Sequence, residues 1–390
     1  MKVFKLEKVI AHMKNGVNVK QNKNGVGDRL SRIETISDGN FNFDKVGFAD
    51  LSSDQKSKYK INKNDILFSH INSLEHLGKT AIYEANQEIY HGVNLLLIRA
   101  NDLVLPKYLR YFFIFLRNSG YWIKNGKQAI NQASVNQTDI KNIQIPVPSL
   151  QEQEKIVERL DKVFENIDHK ISIYEDEIKG IDNLFNSTIH SIFVQGGDDY
   201  SEVFLKDIAE YFNGLTYSPT DKSDSGTVVL RSSNVQNNKL DFKDIVRVSK
   251  NVKEKLFVQN GDVLICSRNG SKRLIGKSAE IKDLPEPMTF GTFMMIVRSD
   301  KNNYLKWFFK SSVFKQQISS GENTMINQIT RYMLDEIKLQ LPNEKVQKEI
   351  DNKLTKLYKV CEDLRQNINL KLYKTALLKK SILNKEFSYE

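Results

Sequence analysis

The sequence predicts an α+β chain in which two similar mixed α/β domains alternate with two long helices. The chain repeats itself at an offset of about 200 residues. The first part of each copy has short β-rich segments and turn signals, whereas its last part has apolar residues every three or four positions. These observations predict a first domain at 1–148, a first helix at 149–197, a second domain at 198–342 and a second helix at 343–390.

The internal repeat consists of eight matches that occur in the same order in both copies. Chance similarity produces one or two such matches, but not an ordered series. The matched pairs are Val3-Phe4 with Val203-Phe204, Asn15-Gly16 with Asn213-Gly214, 32–36 with 231–235, NDILFS (64–69) with GDVLICS (261–267), GKTAI (78–82) with GKSAEI (276–281), KYLRYFF (107–113) with NYLKWFF (303–309), INQ (130–132) with INQ (326–328), and IQIP (143–146) with LQLP (339–342).

Within the domains, composition and turn residues predict both strands and helices. Strands are expected at 65–68 and 95–99 in the first copy and at 262–266 and 293–298 in the second. The segments 32–36 and 231–235 are also interpreted as strand-like. Helices are expected at 108–116 and 305–310.

After Pro148 and after Pro342, the residue pattern changes from short β-rich segments to apolar residues at every third or fourth position. Two long helices are predicted there. Ser149 and Glu152 have the spacing of a capping box, and Gly196-Gly197 is expected to end the first helix. Residues 150–195 hold ten acidic and five basic side chains, whereas residues 343–390 hold seven acidic and eleven basic ones. These opposite net charges favour pairing of the two helices within one chain.

Composition limits the classes of protein to consider. Of 390 residues, 40% are hydrophobic and 27% charged, which excludes a disordered tail protein. The net charge is +10; since the two helices together carry −1, a surplus of +11 falls on the two domains and favours a polyanionic partner. Two cysteines, Cys266 and Cys361, cannot form a disulfide framework. Without a membrane-length apolar run or a signal sequence, a soluble cytoplasmic protein is expected.

Enzyme motifs are mostly missing from the sequence. The segment SLEHLGKT (73–80) imitates a phosphate-binding loop but has Ser73 in place of the first glycine, so an ordinary turn before a strand is expected there. The six histidines lack metal-ligand spacing. We therefore predict no catalytic residue and no metal site in this chain.

The loops between predicted strands instead suggest DNA reading. Arg, Lys, Asn and Gln side chains recognise guanine and adenine edges in the major groove, and such residues recur at matching places in both copies. The strongest segment is CSRNGSKR (266–273). The candidate DNA-binding residues are Lys23, Asn24, Arg29, Arg32, His70, Asn72, Ser73, Lys127, Gln128, Asn131, Gln132, Thr216, Tyr217, Arg231, Ser232, Asn234, Arg268, Asn269, Ser271, Lys272, Arg273, Asn323, Asn327 and Gln328.

This architecture resembles the DNA-specificity subunit of type I restriction–modification systems over essentially the whole chain. The resemblance is carried by NDILFS and GDVLICSRNGS, and by the junction INQASVNQTDIKNIQIPVPSLQEQEKIVERLD (130–161). The second junction, LQLPNEKVQKEI (339–350), departs from the pattern: it lacks the second proline and the Glu-Gln pair and keeps only Gln347 and Ile350.

The resemblance implies two target-recognition domains that each read half of a split double-stranded DNA target with a non-specific spacer. The helices would form an antiparallel coiled coil that docks two methyltransferase (modification) subunits, and restriction translocase subunits would join this phage-defence complex. The residues assigned to partner binding are Glu152, Gln153, Leu160, Gln347 and Ile350. S-adenosylmethionine, ATP and magnesium would belong to the partners, and this chain would hold no cofactor.

Two other classes of protein remain open on the residues alone. One is a coiled-coil scaffold that binds proteins, and the other is a DNA nuclease with an unrecognised site. Sequence-specific DNA binding without intrinsic methylation or cleavage would favour the specificity-subunit interpretation over both.

Overall fold

The computed structural model describes residues 2–129, 132–195, 199–319 and 328–388. The chain divides into unit 1, residues 1–174 with 370–390, and unit 2, residues 175–369. The division falls inside both long helices, so each unit combines one globular region with a section of each helix. The domain limits given above stay predictions.

The first copy contains strands and helices in a mixed order, and it ends in a long helix. The strands are β1 Lys2–Lys5, β2 Ile10–Asn15, β3 Asp28–Leu30, β4 Gly47–Ala49, β5 Ile66–Phe68, β6 Ile71–Asn72, β7 Thr80–Ile82, β8 Leu96–Ala100, β9 Lys127–Ala129, β10 Gln132–Ser134 and β11 Gln144–Val147. The helices are α1 Ser53–Tyr59, α2 Pro106–Asn118, α3 Tyr121–Asn125, α4 Gln137–Lys141 and α5 Leu150–Val194.

The second copy follows the same plan. Its strands are β12 Tyr200–Phe204, β13 Glu210–Asn213, β14 Lys222–Ser223, β15 Thr227–Leu230, β16 Val235–Gln236, β17 Lys239–Leu240, β18 Val246–Val248, β19 Val263–Cys266, β20 Ser278–Glu280, β21 Met288–Phe290, β22 Met294–Arg298 and β23 Lys338–Pro342. Its helices are α6 Leu205–Ile208, α7 Asn302–Phe308, α8 Ser312–Ser319, α9 Arg331–Asp335 and α10 Glu344–Phe387.

An antiparallel four-stranded sheet is the centre of each unit. Its order is β2-β8-β5-β7 in unit 1 and β13-β22-β19-β20 in unit 2. The register agrees as well, because Ile66 lies opposite Ile98 and Val263 lies opposite Val297. The predicted strands at 65–68, 95–99, 262–266 and 293–298 and the predicted helices in α2 and α7 are therefore confirmed. The segment 73–80 is, as predicted, a turn followed by strand β7.

The strand-like interpretation of 32–36 and 231–235 is wrong, since both segments contain a short 3-10 helix, Glu34–Ile36 and Ser232–Asn234. The cause is local hydrogen bonding from side chain to backbone. The Thr35 hydroxyl accepts the Arg32 N–H at 2.8 Å, and the Asn234 amide oxygen accepts the Arg231 N–H at 2.9 Å. Such bonds compete with strand pairing.

Large aromatic side chains fill the space between each sheet region and the helices. In unit 1, Phe387 near the end of α10 packs on Tyr108 and Phe112, with ring centroids 5.2 and 5.7 Å apart. In unit 2, Phe193 near the end of α5 packs on Tyr304 at 4.9 Å. Each globular region thus buries the C-terminal part of the helix that follows the other copy.

The two long helices begin at side-chain caps and pair antiparallel. Ser149 and Glu152 form the predicted capping box, in which the Glu152 carboxylate accepts the Ser149 N–H at 2.9 Å and the Ser149 hydroxyl accepts the Glu152 N–H at 3.3 Å. Helix α5 ends at Val194; Gly196 and Gly197, predicted to end it, lie outside the described residues.

The ion pairs show the antiparallel direction within each unit. In unit 1, Arg159 pairs with Glu386, and Asp168 pairs with Lys379. In unit 2, Asp182 pairs with Arg365. Residue numbers rise along α5 while they fall along α10. The opposite charges predicted to join the helices therefore do meet.

Near each junction, the residues that occupy equivalent positions in the two copies of the structure are not the ones that the sequence match pairs. The two alignments differ by two residues. Val135 N–H donates to the His70 carbonyl at 2.9 Å, and Ile329 N–H donates to the Ser267 carbonyl at 2.6 Å, so Val135 corresponds to Ile329. The same offset aligns Pro148 with Pro342 and Gln153 with Gln347. The IQIP–LQLP pair is thus out of register, and the second junction lacks the first proline rather than the second. The first two residues of each INQ copy, 130–131 and 326–327, lie outside the described residues.

Candidate functional site

Three candidate segments of the second copy meet at the end of strand β19. After Cys266 the chain leaves the sheet, and the N–H groups of Ser267 and Arg268 donate to the Phe293 carbonyl at 3.0 and 3.1 Å. The Asn269 amide donates to the Ser232 hydroxyl at 3.3 Å. Arg268 also forms a β-bridge with Gln328. Segments distant in sequence therefore form one polar surface, as expected of a binding site.

Cations dominate the exposed part of this surface. Arg268, Ser271, Lys272 and Arg273 are exposed, and a short 3-10 helix, Lys272–Leu274, holds the last two. The Arg268 guanidinium lies 5.5 Å from the centre of the Phe293 ring. The Asn269 amide oxygen accepts the Ser271 N–H at 3.0 Å and fixes the loop. Guanidinium and amide groups held in this way can bind base edges or phosphates.

Thr216 and Tyr217 lie beside this surface because of a close backbone approach. Leu215 bridges Gly291, and a Cβ on Gly214 would lie 2.1 Å from the Gly291 carbonyl oxygen. Only glycine fits there. Thr216 is exposed and Tyr217 is half-buried.

Arg231 and Asn234 hold their own loop. Arg231 pairs with Asp244 at 2.7 Å. Asn234 is buried, and its amide donates to the carbonyls of Asp241 and Asp244 at 2.9 Å each. With its donors satisfied inside the protein, Asn234 supports the loop rather than offering a surface, which corrects its assignment to DNA contact.

In the first copy, a three-stranded sheet of order β6-β10-β9 brings part of the candidate set together. Asn72 lies opposite Ala133, and Lys127 lies opposite Ser134. Gln128 and Gln132 contribute backbone to β9 and β10. Lys127 and Ser73 are exposed, whereas Asn72 is half-buried and donates to the Ser69 hydroxyl at 3.2 Å.

His70 lies in the interior and not on this surface. It is buried, its Nδ1 has no hydrogen-bond partner, and burial lowers the pKa of its imidazole to about 4. A buried ring is not exposed to a DNA phosphate or base edge, so its assignment to DNA contact is corrected.

The remaining candidates of the first copy lie near a different sheet, β3 with β4. Lys23, Asn24 and Arg29 are exposed. Arg32 is half-buried and pairs with Glu34 at 3.2 Å, which uses part of its donor capacity. Three further candidates, Asn131, Asn323 and Asn327, lie outside the described residues.

Four of the five residues assigned to partner binding are buried inside the chain, which corrects that assignment. Gln153 donates to the carbonyls of Leu103 and Pro148 at 3.0 Å, and Gln347 donates to the carbonyl of Pro342 at 2.7 Å. Leu160 and Ile350 belong to the hydrophobic cores. Glu152 is exposed but serves the helix cap. The two equivalent glutamines, Gln153 and Gln347, therefore anchor the start of each long helix through hydrogen bonds in the protein interior.

Sequence reasoning missed one feature of both units, a carboxylate–guanidinium pair at the ends of the two middle strands of the central sheet. Asp65, fully buried, accepts two bonds from Arg99 at 2.7 and 2.8 Å. Asp262 does the same with Arg298 at 2.8 and 2.7 Å. The detectable signal was an Asp before one strand and an Arg near the end of its partner in both copies.

Other kinds of site were sought in the described part of the chain. There, the structure has no group of three or more His, Cys, Asp or Glu side chains placed to hold a metal ion. Among the same residues, no helix combines the length and the apolar character needed to cross a bilayer.

Comparison with known proteins agrees with the duplicated architecture. The chain matches the family model of the type I restriction modification DNA specificity domain twice, over 1–175 and 197–374. The protein named "putative type I restriction enzyme MjaX specificity subunit" from Methanocaldococcus jannaschii is 28% identical over 409 residues, which cover 98% of this chain and 91% of that protein. The type I restriction enzyme StySPI specificity subunit of Salmonella potsdam is 32% identical over 185 residues, 44% of this chain and 40% of that protein.

A solved structure also resembles this chain in fold. It comes from work on complex assembly and conformational transition of a type I R-M system. Its TM-score is 0.75, with 15% identity, over 98% of this chain and 96% of that one. At this identity the likeness concerns the fold alone.

Proposed function

This chain belongs to the type I restriction–modification DNA-specificity family, and we propose that it reads a split double-stranded DNA target, one half with each domain, and carries no catalytic site of its own. The observation that supports the proposal most directly is the polar surface after β19, where Asn269 donates to Ser232 and Arg268 bridges Gln328, although the three segments are distant in sequence. A corresponding surface follows β5 in the first copy.

The two surfaces differ in their side chains, and this difference favours two unlike half-sites. Loop 267–273 offers arginine, lysine and asparagine, whereas the β6-β10-β9 sheet offers Asn72 and Lys127. Arginine recognises guanine and asparagine recognises adenine by paired hydrogen bonds. A non-specific spacer between the half-sites follows from the use of two separate reading domains.

The proposal is tested by mapping adenine methylation in DNA from cells that express this chain with its methyltransferase subunit. The wild-type complex should methylate one bipartite sequence. The double variant Arg268→Ala/Arg273→Ala should relax base choice in one half-site only, with a loss of about 1–3 kcal/mol in discrimination for each paired contact.

A matched control removes the same charge from unit 2 elsewhere. Lys253→Ala/Lys255→Ala changes two exposed cations outside the loops and should leave the methylated sequence unchanged. Methylation without any preferred sequence would favour the scaffold alternative, and cleavage of DNA by the purified chain alone would favour the nuclease alternative.

We further propose that exposed apolar residues of helix α10 dock the methyltransferase subunits. Leu370, Tyr373 and Leu377 are 50, 62 and 44% exposed. Apolar side chains at spacings of three and four residues share one helix face, and exposed apolar patches mark protein contacts. Restriction translocase subunits would join through the methyltransferase.

The docking face is tested by co-purification. Tyr373→Ser/Leu377→Ser should reduce capture of the methyltransferase subunit, whereas Lys374→Ser, between the two positions, should have little effect. Equal capture by all three chains would contradict this face.

The same complex tests the cofactor assignment. S-adenosylmethionine, ATP and magnesium are proposed to bind the partner subunits. Equilibrium dialysis should detect S-adenosylmethionine binding to the complex and none to this chain alone.

A further inference from the structure

Phe293 is an exposed aromatic residue at the tip of a tight turn in unit 2. The Met294 N–H donates to the Gly291 carbonyl at 2.8 Å, which leaves Thr292 and Phe293 as the central residues of the turn. Phe293 is 54% exposed, whereas Met294 after it is buried. The ring therefore points outward from a backbone that the sheet holds in place.

Single exposed apolar residues are common on proteins, so exposure alone carries no conclusion. Phe293 differs because its backbone is part of the candidate DNA surface. Its carbonyl accepts the N–H groups of Ser267 and Arg268. These two bonds tie the turn to loop 267–273, so the ring stays next to that loop.

The ring also lies beside the strongest candidate for base reading. The Arg268 guanidinium is 5.5 Å from the ring centre, a distance at which the cation and the aromatic face attract each other. Successive base pairs are about 3.4 Å apart along DNA. Arg268 and Phe293 can therefore reach the same base pair or neighbouring ones.

The chemistry of the major groove limits what an exposed ring can meet there. Base edges in the groove present hydrogen-bond donors and acceptors, and the C5-methyl of thymine is the one methyl group among them. A phenyl ring has no hydrogen-bonding group. The apolar group that it fits is therefore the thymine methyl.

The first copy does not have this feature. Gly92 bridges Val17 as Gly291 bridges Leu215, which makes Asn94 the counterpart of Phe293. Asn94 has a φ of 73°, a left-handed conformation that asparagine tolerates well. The aromatic contact is thus specific to the second domain.

We propose that Phe293 packs on the C5-methyl group of a thymine in the half-site read by the second domain, at or beside the base pair contacted by Arg268. The inference rests on the proposed function, because it needs duplex DNA at this surface. It makes Phe293 a specificity-determining residue.

The test uses the complex of this chain with its methyltransferase subunit and duplexes carrying the mapped target. The half-site that Arg268→Ala relaxes is the one to examine. Each thymine in it is replaced singly by uracil, which removes the methyl group and leaves base pairing intact. Binding is followed by fluorescence anisotropy. One uracil duplex should bind the wild-type complex about fourfold more weakly, since a buried methyl group contributes about 0.8 kcal/mol.

The variants separate a methyl contact from a general effect. Phe293→Ala should bind the thymine duplex about tenfold more weakly and should no longer distinguish it from the uracil duplex. Phe293→Leu, which keeps an apolar side chain, should still distinguish them. Thr292→Ala is the control in the same turn and should behave as wild type.

Two results would overturn the inference while the proposed function stands. One is a half-site without thymine, and the other is an unchanged thymine–uracil difference in Phe293→Ala. A wild-type complex that methylates no defined sequence would overturn the proposed function and this inference together.

Discussion

The loops after β5 in unit 1 and after β19 in unit 2 leave the same position of equivalent sheets and then diverge. In unit 1 the chain continues into β6, which pairs with β10. In unit 2 Arg268 makes the corresponding bridge to Gln328, and the chain then forms an exposed loop with Lys272 and Arg273. The surroundings of the two loops agree closely. The Asp65–Arg99 pair has its counterpart in Asp262–Arg298, and Gly16 approaches Gly92 as Gly214 approaches Gly291.

This difference indicates which parts of a unit are constrained by folding. The buried ion pairs and the close glycine contacts tolerate few other residues. Replacing one member of an ion pair would leave a buried charge without a partner, and replacing a glycine would create a steric clash. The loops have no such constraint, so under the proposed function their residues, and with them the DNA sequence recognised, can vary while these buried contacts stay the same. Substitutions at the buried contacts that the two units share, and at positions where the units differ, test this interpretation, from the largest expected effect to the smallest.

The largest effect is expected from the phenylalanines that join each globular region to a helix end. Phe387→Ala and Phe193→Ala should each lower the free energy of unfolding by about 4 kcal/mol, since each removes a buried aromatic ring and leaves a cavity. Urea unfolding measures the loss. Val194→Ala, an exposed neighbour, is the control and should change stability by no more than about 0.5 kcal/mol. A loss of stability for only one of the two variants would show that the two phenylalanines do not have equivalent structural roles.

A somewhat smaller effect is expected from the shared ion pair. Arg99→Met should cost about 3 kcal/mol, because it leaves the Asp65 carboxylate buried without its partner. Arg298→Met should cost a similar amount in unit 2. The double variant Arg99→Met/Asp65→Leu should recover much of the loss, as measured by thermal unfolding. No recovery would mean that Asp65 acts mainly through its bond to the Asn62 N–H.

A pH effect should separate the two units. Val17 N–H donates to the His91 carbonyl as Leu215 N–H donates to the Phe290 carbonyl, so a buried His in unit 1 corresponds to a Phe in unit 2. Burial lowers the pKa of His91 from 6.5 to about 3. The unfolded chain therefore takes up a proton below about pH 6.5 that the folded chain does not bind, so stability falls as pH decreases.

At pH 5, His91 should cost unit 1 about 2 kcal/mol of stability relative to pH 7. Urea titrations at both pH values, followed by hydrogen exchange in peptides of β8 and β22, report on the two units separately. The His91→Phe variant should lose this part of the pH dependence. Equal acid sensitivity of β8 and β22 would count against the assignment to His91.

The smallest effect concerns the helix caps. Ser149→Ala should destabilise by about 1 kcal/mol, and Asn343→Ala by a similar amount, because each side chain accepts an otherwise unpaired N–H at a helix start. Thermal unfolding detects the change. Ser149→Asn, which keeps a capping oxygen, is the matched control and should stay within a few tenths of a kcal/mol of wild type.

The sequence by itself determined the duplication, the long helices, the first capping box and the main strands. These features depend on local patterns: apolar spacing, cap residues and ordered matches between the copies. The same patterns led to the wrong prediction of strand-like structure at 32–36 and 231–235. There, the side chains of Thr35 and Asn234 accept hydrogen bonds from backbone N–H groups three residues earlier, and composition does not reveal such bonds.

Tertiary structure alone decided which residues are available for binding. Gln153 and Leu160 lie on a helix that the sequence predicts well, yet both are buried, because α5 packs on α2 and on the end of α10. The sequence predicts that Phe293 is the first residue of a strand, but in the structure it is exposed in a turn beside Arg268. Exposure depends on which distant segments cover a side chain, and in this protein those segments are brought together by non-local strand pairing and helix packing, which local periodicity cannot specify.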